Sequence, residues 1–422
     1  MAGRKRCQSF RNVALAMAVA VGLFAPLVMI VPAAQAQTFQ VIHAFTGGSD
    51  GGNPLGRLSI DGGGHLYGTT YAGGVPYDGG YGVVFKMSPV GSGWTFSPIY
   101  TFSPSGDGGD PAAGVLFGPD GILYGTTSNG GTVFTVRPSA TRPPTVLSPW
   151  TLNFLYDFSP FTVYPAGDVV FDSAGNIYGA TSTGGGRGCF NNEGCGTVYE
   201  LTPSAGGWIE TTLYAFQGGS DGAGPVGVTF DSAGNLIGVA ESGGTKDDGV
   251  IFQLTRSGDS WTESVLYNFD SQGNGGYAPQ AGLVSDASGN FYGSTVASSG
   301  YSGVIFELSP SNGGWTYNVL AQIPGQYRFG PNAPLTMDAA GNLYGTIGTR
   351  DSNELPGAVF KVTRGSDGWT FTSLHDFTSG SDGCCSASTV AIGANGNLYG
   401  TAIYGGPNCL PIGCGVVWEI AP

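Results

Sequence analysis

The sequence predicts an all-β fold, a seven-bladed β-propeller of four-stranded antiparallel blades, and three observations predict it. A phrase of the form Asp-x-x-Gly-Asn-Leu-Tyr-Gly returns seven times, ending at Gly68, Gly125, Gly179, Gly238, Gly293, Gly345 and Gly400, in steps of 57, 54, 59, 55, 52 and 55 residues. Self-similarity at a period of about 50 marks an array of supersecondary units, none able to bury its apolar face alone. Each unit carries four short strand signals separated by Gly, Pro, Asn and Asp, and no helical period appears after residue 36. Seven units of four strands fit a propeller. A right-handed β-solenoid, the competing architecture, usually repeats at shorter periods and lacks tight hairpins.

The first strand of a unit is a small-apolar segment ending in Asp, as in Val226–Asp231 and Ala281–Asp286. The second is the Asn-Leu-Tyr-Gly segment. The third, Gly-Val-Val-Phe-x-Leu-x-Pro, starts at Gly82, Gly131, Gly196, Gly249, Gly303, Gly357 and Gly415. The fourth opens with Trp and closes with Leu-Tyr-x-Phe. Trp94, Trp150, Trp208, Trp261, Trp315 and Trp369 each stand eight residues before Phe102, Phe158, Phe216, Phe269, Ile323 and Phe377. Even offsets share one face of a strand, so the Trp, Tyr and Phe of this strand are expected on the same side, packed sheet to sheet.

The last unit stops after its third strand, Gly415–Ala421, and the missing fourth is expected from Val41-Ile42-His43-Ala44-Phe45 at the other end. Eight residues before Phe45 stands Gln37. The segment ahead of it reads as a secretory leader: Arg4, Lys5, Arg6 and Arg11, an apolar run Val13–Val31, then Ala34-Gln35-Ala36. The domains expected are a signal peptide over 1–36 and a propeller over 37–422, with no membrane span after cleavage.

Loss of the leader removes four basic residues and no acidic one, leaving 11 Lys+Arg against 29 Asp+Glu, a formal −18. That balance argues against nucleic acid and anionic lipid, which require clustered positive charge. Six cysteines remain, an even number suited to an oxidising compartment. Cys189 and Cys195 share one loop, and Cys409 and Cys414 share the equivalent loop of the last unit, so two local staples are the natural pairing. Each would contribute roughly 2 kcal/mol by chain entropy. Adjacent Cys384 and Cys385 leave a strained vicinal disulfide open, and spaced ligands for zinc are missing.

The units resemble the GloVer tandem repeat of bacterial choice-of-anchor exported proteins, through Gly-Asn-Leu-Tyr-Gly-Thr-Thr, a following Gly-Gly and Gly-Val-Val-Phe-x-Leu. Their strand order is similar to that of NHL-type propellers. The resemblance covers nearly all of 37–422. It implies export and a propeller-like repeat, and no defined reaction. Many relatives have a C-terminal anchoring segment, whereas this chain stops at Glu419-Ile420-Ala421-Pro422.

A single catalytic constellation should interrupt a sevenfold register. His43 and His375 fill the slot of Tyr100, Tyr156, Tyr214 and Tyr267, and His65 fills the turn slot of Asn176 and Asn235. No Ser-His-Asp set or metal cluster assembles from them. Asp61, Asp120, Asp172, Asp231, Asp286 and Asp338 are expected to start the tight first hairpin, accepting its backbone N–H groups. Glu200, Glu307 and Glu419 share a strand position with Lys86, Gln253 and Lys361 and read as solvated. No acid–base pair is nominated for a glycosidase or lyase.

The loops after the fourth strand, with Asp50, Asp107, Asp110, Asp221 and Asp382, read chiefly as turns. Calcium stays open there as a cofactor because loops from several blades converge. Strand alternation places these loops on the same face as the long second-to-third loops, which include Glu241, Asp247 and Asp351. Binding residues concentrate in variable loops on a rigid scaffold. The expectation is a secreted or periplasmic, monomeric, non-catalytic recognition or scaffold protein. Its partner would be a glycan, peptide or surface protein held on the loop-bearing face. An extracellular carbohydrate-active hydrolase or lyase is the alternative, supported by fold analogy alone.

Overall fold

Alternating burial along short segments turns the strand signals into strands. The computed structural model describes residues 37–421 apart from 75–79, 104–107, 140–149, 159–162, 187, 259, 349–356, 387 and 410–412. The expected leader, Asp107 and Asp351 therefore lie outside the described residues. The rest forms seven four-stranded antiparallel sheets. Blade 1 comprises Ser59–Ile60, Leu66–Thr70, Val83–Val90 and Gly93–Thr101. Blades 2 to 6 repeat that order, each from first to fourth strand.

Blade 7 takes its first three strands, Ala391–Ile392, Leu398–Ala402 and Val416–Ala421, from the end of the chain and its fourth, Thr38–Ala44, from the start. Thr38 pairs with Ala421 and Ala44 with Val416. Phe45 is buried against Phe85 of blade 1. Closure by the N-terminal strand is as the unit count requires.

The glycine of Leu-Tyr-Gly exists for a ring. Gly68 lies directly across from Phe85 on the third strand, and a Cβ at Gly68 would sit 2.6 Å from the Phe85 ring and 2.7 Å from Leu58. The same approach recurs between Gly345 and Phe360, at 2.5 Å. The second strands are buried along their length, except that the one in blade 4 ends in half-buried Glu241 and Ser242. Asp231 shows the turn that precedes them. Its Oδ1 accepts the backbone N–H of Ala233 and Asn235, both at 2.8 Å, and its Oδ2 accepts the Asn235 amide at 2.7 Å. Asp120 departs from this pattern, because Gly118 starts the blade 2 hairpin and Asp120 stands two residues later.

Two further expectations are corrected. The fourth strand does not keep its even-offset aromatics on one face. In blade 1 a bulge intervenes: Phe85 pairs with Pro98 and Val84 with Tyr100, leaving Ile99 as the extra residue. A bulge reverses the parity of everything beyond it. Trp94 and Phe96 consequently pack towards blade 7, with Trp94 edge-on to Tyr399, while Tyr100 and Phe102 pack towards blade 2. The shared position of Glu200, Glu307 and Glu419 is not solvated either. Tyr178 donates to Glu200 at 2.7 Å and Tyr292 to Glu307 at 2.9 Å, while Lys86 and Lys361 lie over the rings of Tyr67 and Tyr344. Glu419, 6% exposed, accepts from Tyr399, Asn397 and Gln40 of the closing strand.

Candidate functional site in the central channel

Backbone bridges Gly52–Ala72, Gly109–Asn129, Tyr277–Ala297 and Cys384–Tyr404 tie fourth-to-first loops to the second-to-third loop of the next blade. Both loop types therefore share one face. The cysteines pair locally, Cys189 with Cys195 and Cys409 with Cys414, and Cys384 pairs with Cys385. The first two staples cover glycines of the fourth-to-first loops, Gly218 and Gly47 respectively.

Most candidate carboxylates on this face are occupied by the fold. Asp221 accepts the backbone N–H of Gln217 at 2.9 Å and the Tyr214 hydroxyl at 3.0 Å. Asp50 does the same for Thr46 and His43, and Asp382 for Thr378 and His375. The rule is one device: an acid seven residues after the Tyr/His slot reaches back to it and closes the loop. Asp110 adopts a left-handed φ of 53°, and burial raises its pKa against the opposing hydrogen bond from Asn129. Asp247 is exposed, and its Oδ1 accepts the Gly243 N–H at 2.9 Å. Among the described residues, no three His, Cys, Asp or Glu side chains gather to hold a metal ion.

Glu241 differs, because it faces the central channel. The channel encloses about 1480 Å³. Its wall is made by the first strands, by residues that follow the second strands, among them Ser128, Ser182 and Val296, and by Glu241. Glu241 lies within the longer second strand of blade 4, Leu236–Ser242, rather than in the loop where the sequence placed it. Gln280 from blade 5 donates to Glu241 from blade 4 at 2.6 Å. Asn332 lines the wall on blade 6, and Tyr164, 37% exposed, on blade 3.

Deeper in the channel lies a pair that the sequence reading missed. Eleven residues before the motif glycine the seven units carry Arg57, Gly114, Asp168, Gly227, Gly282, Pro334 and Thr389. Arg57 Nη1 donates to Asp168 Oδ2 at 2.9 Å, with the two side chains 35% and 20% exposed. The pair joins blades 1 and 3 across blade 2. Gly114 permits it, since a Cβ there would lie 2.5 Å from the Arg57 carbonyl oxygen and 3.1 Å from its Cγ. The signal was available: two opposite charges at a slot otherwise filled by Gly, Pro and Thr.

No curated protein matches the chain in sequence. In structure it is similar to the extracellular domain of a protein described as a hybrid two component system of B. thetaiotaomicron. That match has a TM-score of 0.55 and 12% identity, over 92% of this chain and 42% of the other. A second structure of that extracellular domain, described as a one component system, matches at 0.51 and 12%, over 88% and 40%. PorZ, a surface component of the type-IX secretion system of Porphyromonas gingivalis, matches at 0.50 and 14%, over 82% and 45%. The chain thus spans under half of each of these longer chains, and likeness at such identities shows the fold alone. The Gloeobacter/Verrucomicrobia repeat matches residues 28–191, 146–346 and 264–422, so the units described above are copies of that repeat and the chain belongs to its family.

Proposed function

We propose that the protein is an exported, non-catalytic recognition module that holds one ligand at the loop-bearing mouth of its central channel. The observation that carries this reading is the off-register set in the wall. Arg57, Asp168, Glu241, Gln280 and Asn332 interrupt a sevenfold pattern of small and apolar residues. A closed ring requires no such interruption for stability. Export agrees with three disulfides, which persist in oxidising compartments. It agrees too with the extracellular and surface settings named for two similar folds. The hydrolase alternative needs an acid and a base free to exchange protons with substrate. Asp168 is instead engaged by Arg57, and Glu241 by Gln280.

The test is a screen of the exported protein against glycans and peptides, with and without calcium, beside a Gly282→Trp variant. Gly282 lines the channel, and a Cβ added to it would meet only Pro334 Cγ, at 3.9 Å, so the indole has room to plug the lumen. Ligands retained by the parent and lost by the plug support the reading. Ligands held equally by both place recognition elsewhere, and release of cleaved product ends the non-catalytic assignment.

A further inference from the structure

The channel wall combines features that select a chemical class of ligand. Its volume of about 1480 Å³ exceeds the roughly 300–1,000 Å³ of pockets for single small molecules. An elongated ligand entering end-on uses such a space better than a compact one. The charge is nearly balanced, with one cation, Arg57, against two carboxylates, Asp168 and Glu241. An acidic ligand would face that excess and the acidic remainder of the protein.

The charged and amide groups of the wall are planar, a guanidinium, two carboxylates and the amides of Gln280 and Asn332, and they stand beside the hydroxyls of Ser128, Ser182 and Thr389. Planar groups offer adjacent donors or acceptors, the arrangement that vicinal hydroxyls complement in pairs. Tyr164 stands four residues before Asp168 on the same wall, its ring partly exposed as a platform for a C–H face. An extended peptide would instead seek a strand edge of several residues. The first strands of blades 1, 5, 6 and 7 are two residues long and that of blade 2 three, so only blades 3 and 4, with Pro165–Phe171 and Ala223–Phe230, present a longer edge. A peptide is the rival that the titration tests.

We infer that the channel is a subsite for the end of a neutral oligosaccharide, with Tyr164 stacking a sugar ring and the Arg57–Asp168 and Glu241–Gln280 pairs bonding its hydroxyls. This inference rests on the channel recognition reading above. Hydroxyls bridge each pair without breaking its charge balance, so binding needs no conformational change in the wall.

The experiment is calorimetric titration of the exported protein with short neutral gluco- and manno-oligosaccharides, uronate oligosaccharides and a Lys-rich peptide. The same titrations are run on Gly282→Trp and Gln280→Ala. Gln280 is exposed, so its truncation leaves the fold intact. Neutral oligosaccharides should bind, losing about tenfold or more in affinity with the plug and about threefold or more with Gln280→Ala. Plug-sensitive preference for the uronate or the peptide overturns the neutral-sugar class while leaving the channel as the site. Neutral-sugar binding that ignores the plug overturns the subsite. Absence of binding by all three probes overturns the inference, and the broader screen then decides the recognition reading separately.

Discussion

Two sets of equivalent positions run around this ring, one between the blades and one along the channel, and they tolerate departures from the repeat very differently. Between blades, the Tyr/His slot of one fourth strand faces the residue two after the Trp position in the next. His43 stacks on Phe96 at 4.1 Å, Tyr267 on Tyr317 at 3.9 Å and His375 on Phe39 at 3.6 Å. Between blades 3 and 4 the ring is replaced by Glu263, beside Tyr214, with its Oε1 buried and unpartnered. Burial, with the Asp221 charge added, pushes Glu263 up to about 7. In the channel, by contrast, Arg57 and Asp168 stand at a slot where three units have glycine, and each supplies the other's charge partner while remaining partly in water, with only the Arg57 Nε buried and unpartnered. At Glu263 the departure leaves a buried carboxylate oxygen without a partner, a cost in stability. A departure in the channel is free to serve a ligand.

The largest effect should come from removing residues 37–45. Loss of the strand paired with Val416–Ala421, and of buried Phe45, opens the ring at a sheet edge. The truncated protein should aggregate or fail to give a cooperative melt. A monomer with the parent's melting temperature would break the closure account. Next, Gly345→Val drives a side chain into Phe360 and should cost about 1–3 kcal/mol in denaturant unfolding. An unchanged midpoint would mean that the motif glycine is there for some reason other than the ring.

Glu263→Gln sharpens the comparison through pH. The folded value of about 7 lies above the ordinary 4.5, so the native protein holds a proton that the unfolded chain releases between those values. The group's cost is therefore absent below about pH 4, grows as pH rises towards 7 and then levels off. The variant should gain roughly 1–2 kcal/mol at pH 8 after allowance for its partial exposure, and nothing at pH 4. An equal gain at both would trace the effect to packing rather than charge. Smallest of all, Glu241→Ala should shift stability by under about 0.5 kcal/mol. A larger loss in a melting experiment would make the Glu241–Gln280 pair a structural tie and erase the contrast between channel and interface.

The seven blades are legible in the sequence because Gly-Asn-Leu-Tyr-Gly marks one strand in each, and the closing strand is legible because the strand count at the two ends leaves one unpaired. Local cysteine pairs are readable for the same reason, as equivalent loops. The bulge is not. Counting offsets assumes an unbroken pleat, and nothing in Pro98-Ile99-Tyr100 announces the extra residue that sends Tyr100 to the other face. The burial of Glu419 is hidden too, since its partners Gln40 and Asn397 come from opposite ends of the chain. Arg57 and Asp168 are hard to pair from sequence because 111 residues separate them and their slot falls in the short segment just ahead of the most regular motif.

The same bulge has a consequence for how the molecule comes apart. Linear arrays of repeats lose structure from their ends inward, one unit at a time, and need capping units to resist it. Here the outer strand of blade 1 is wedged between two neighbours, its Trp half in one interface and its Phe half in the other, and the strand from the start of the chain removes the free end altogether. Detaching a blade means breaking two seams at once. Heat or denaturant should consequently meet one barrier for the whole ring, with no partially peeled state exposing strand edges to other chains on the way.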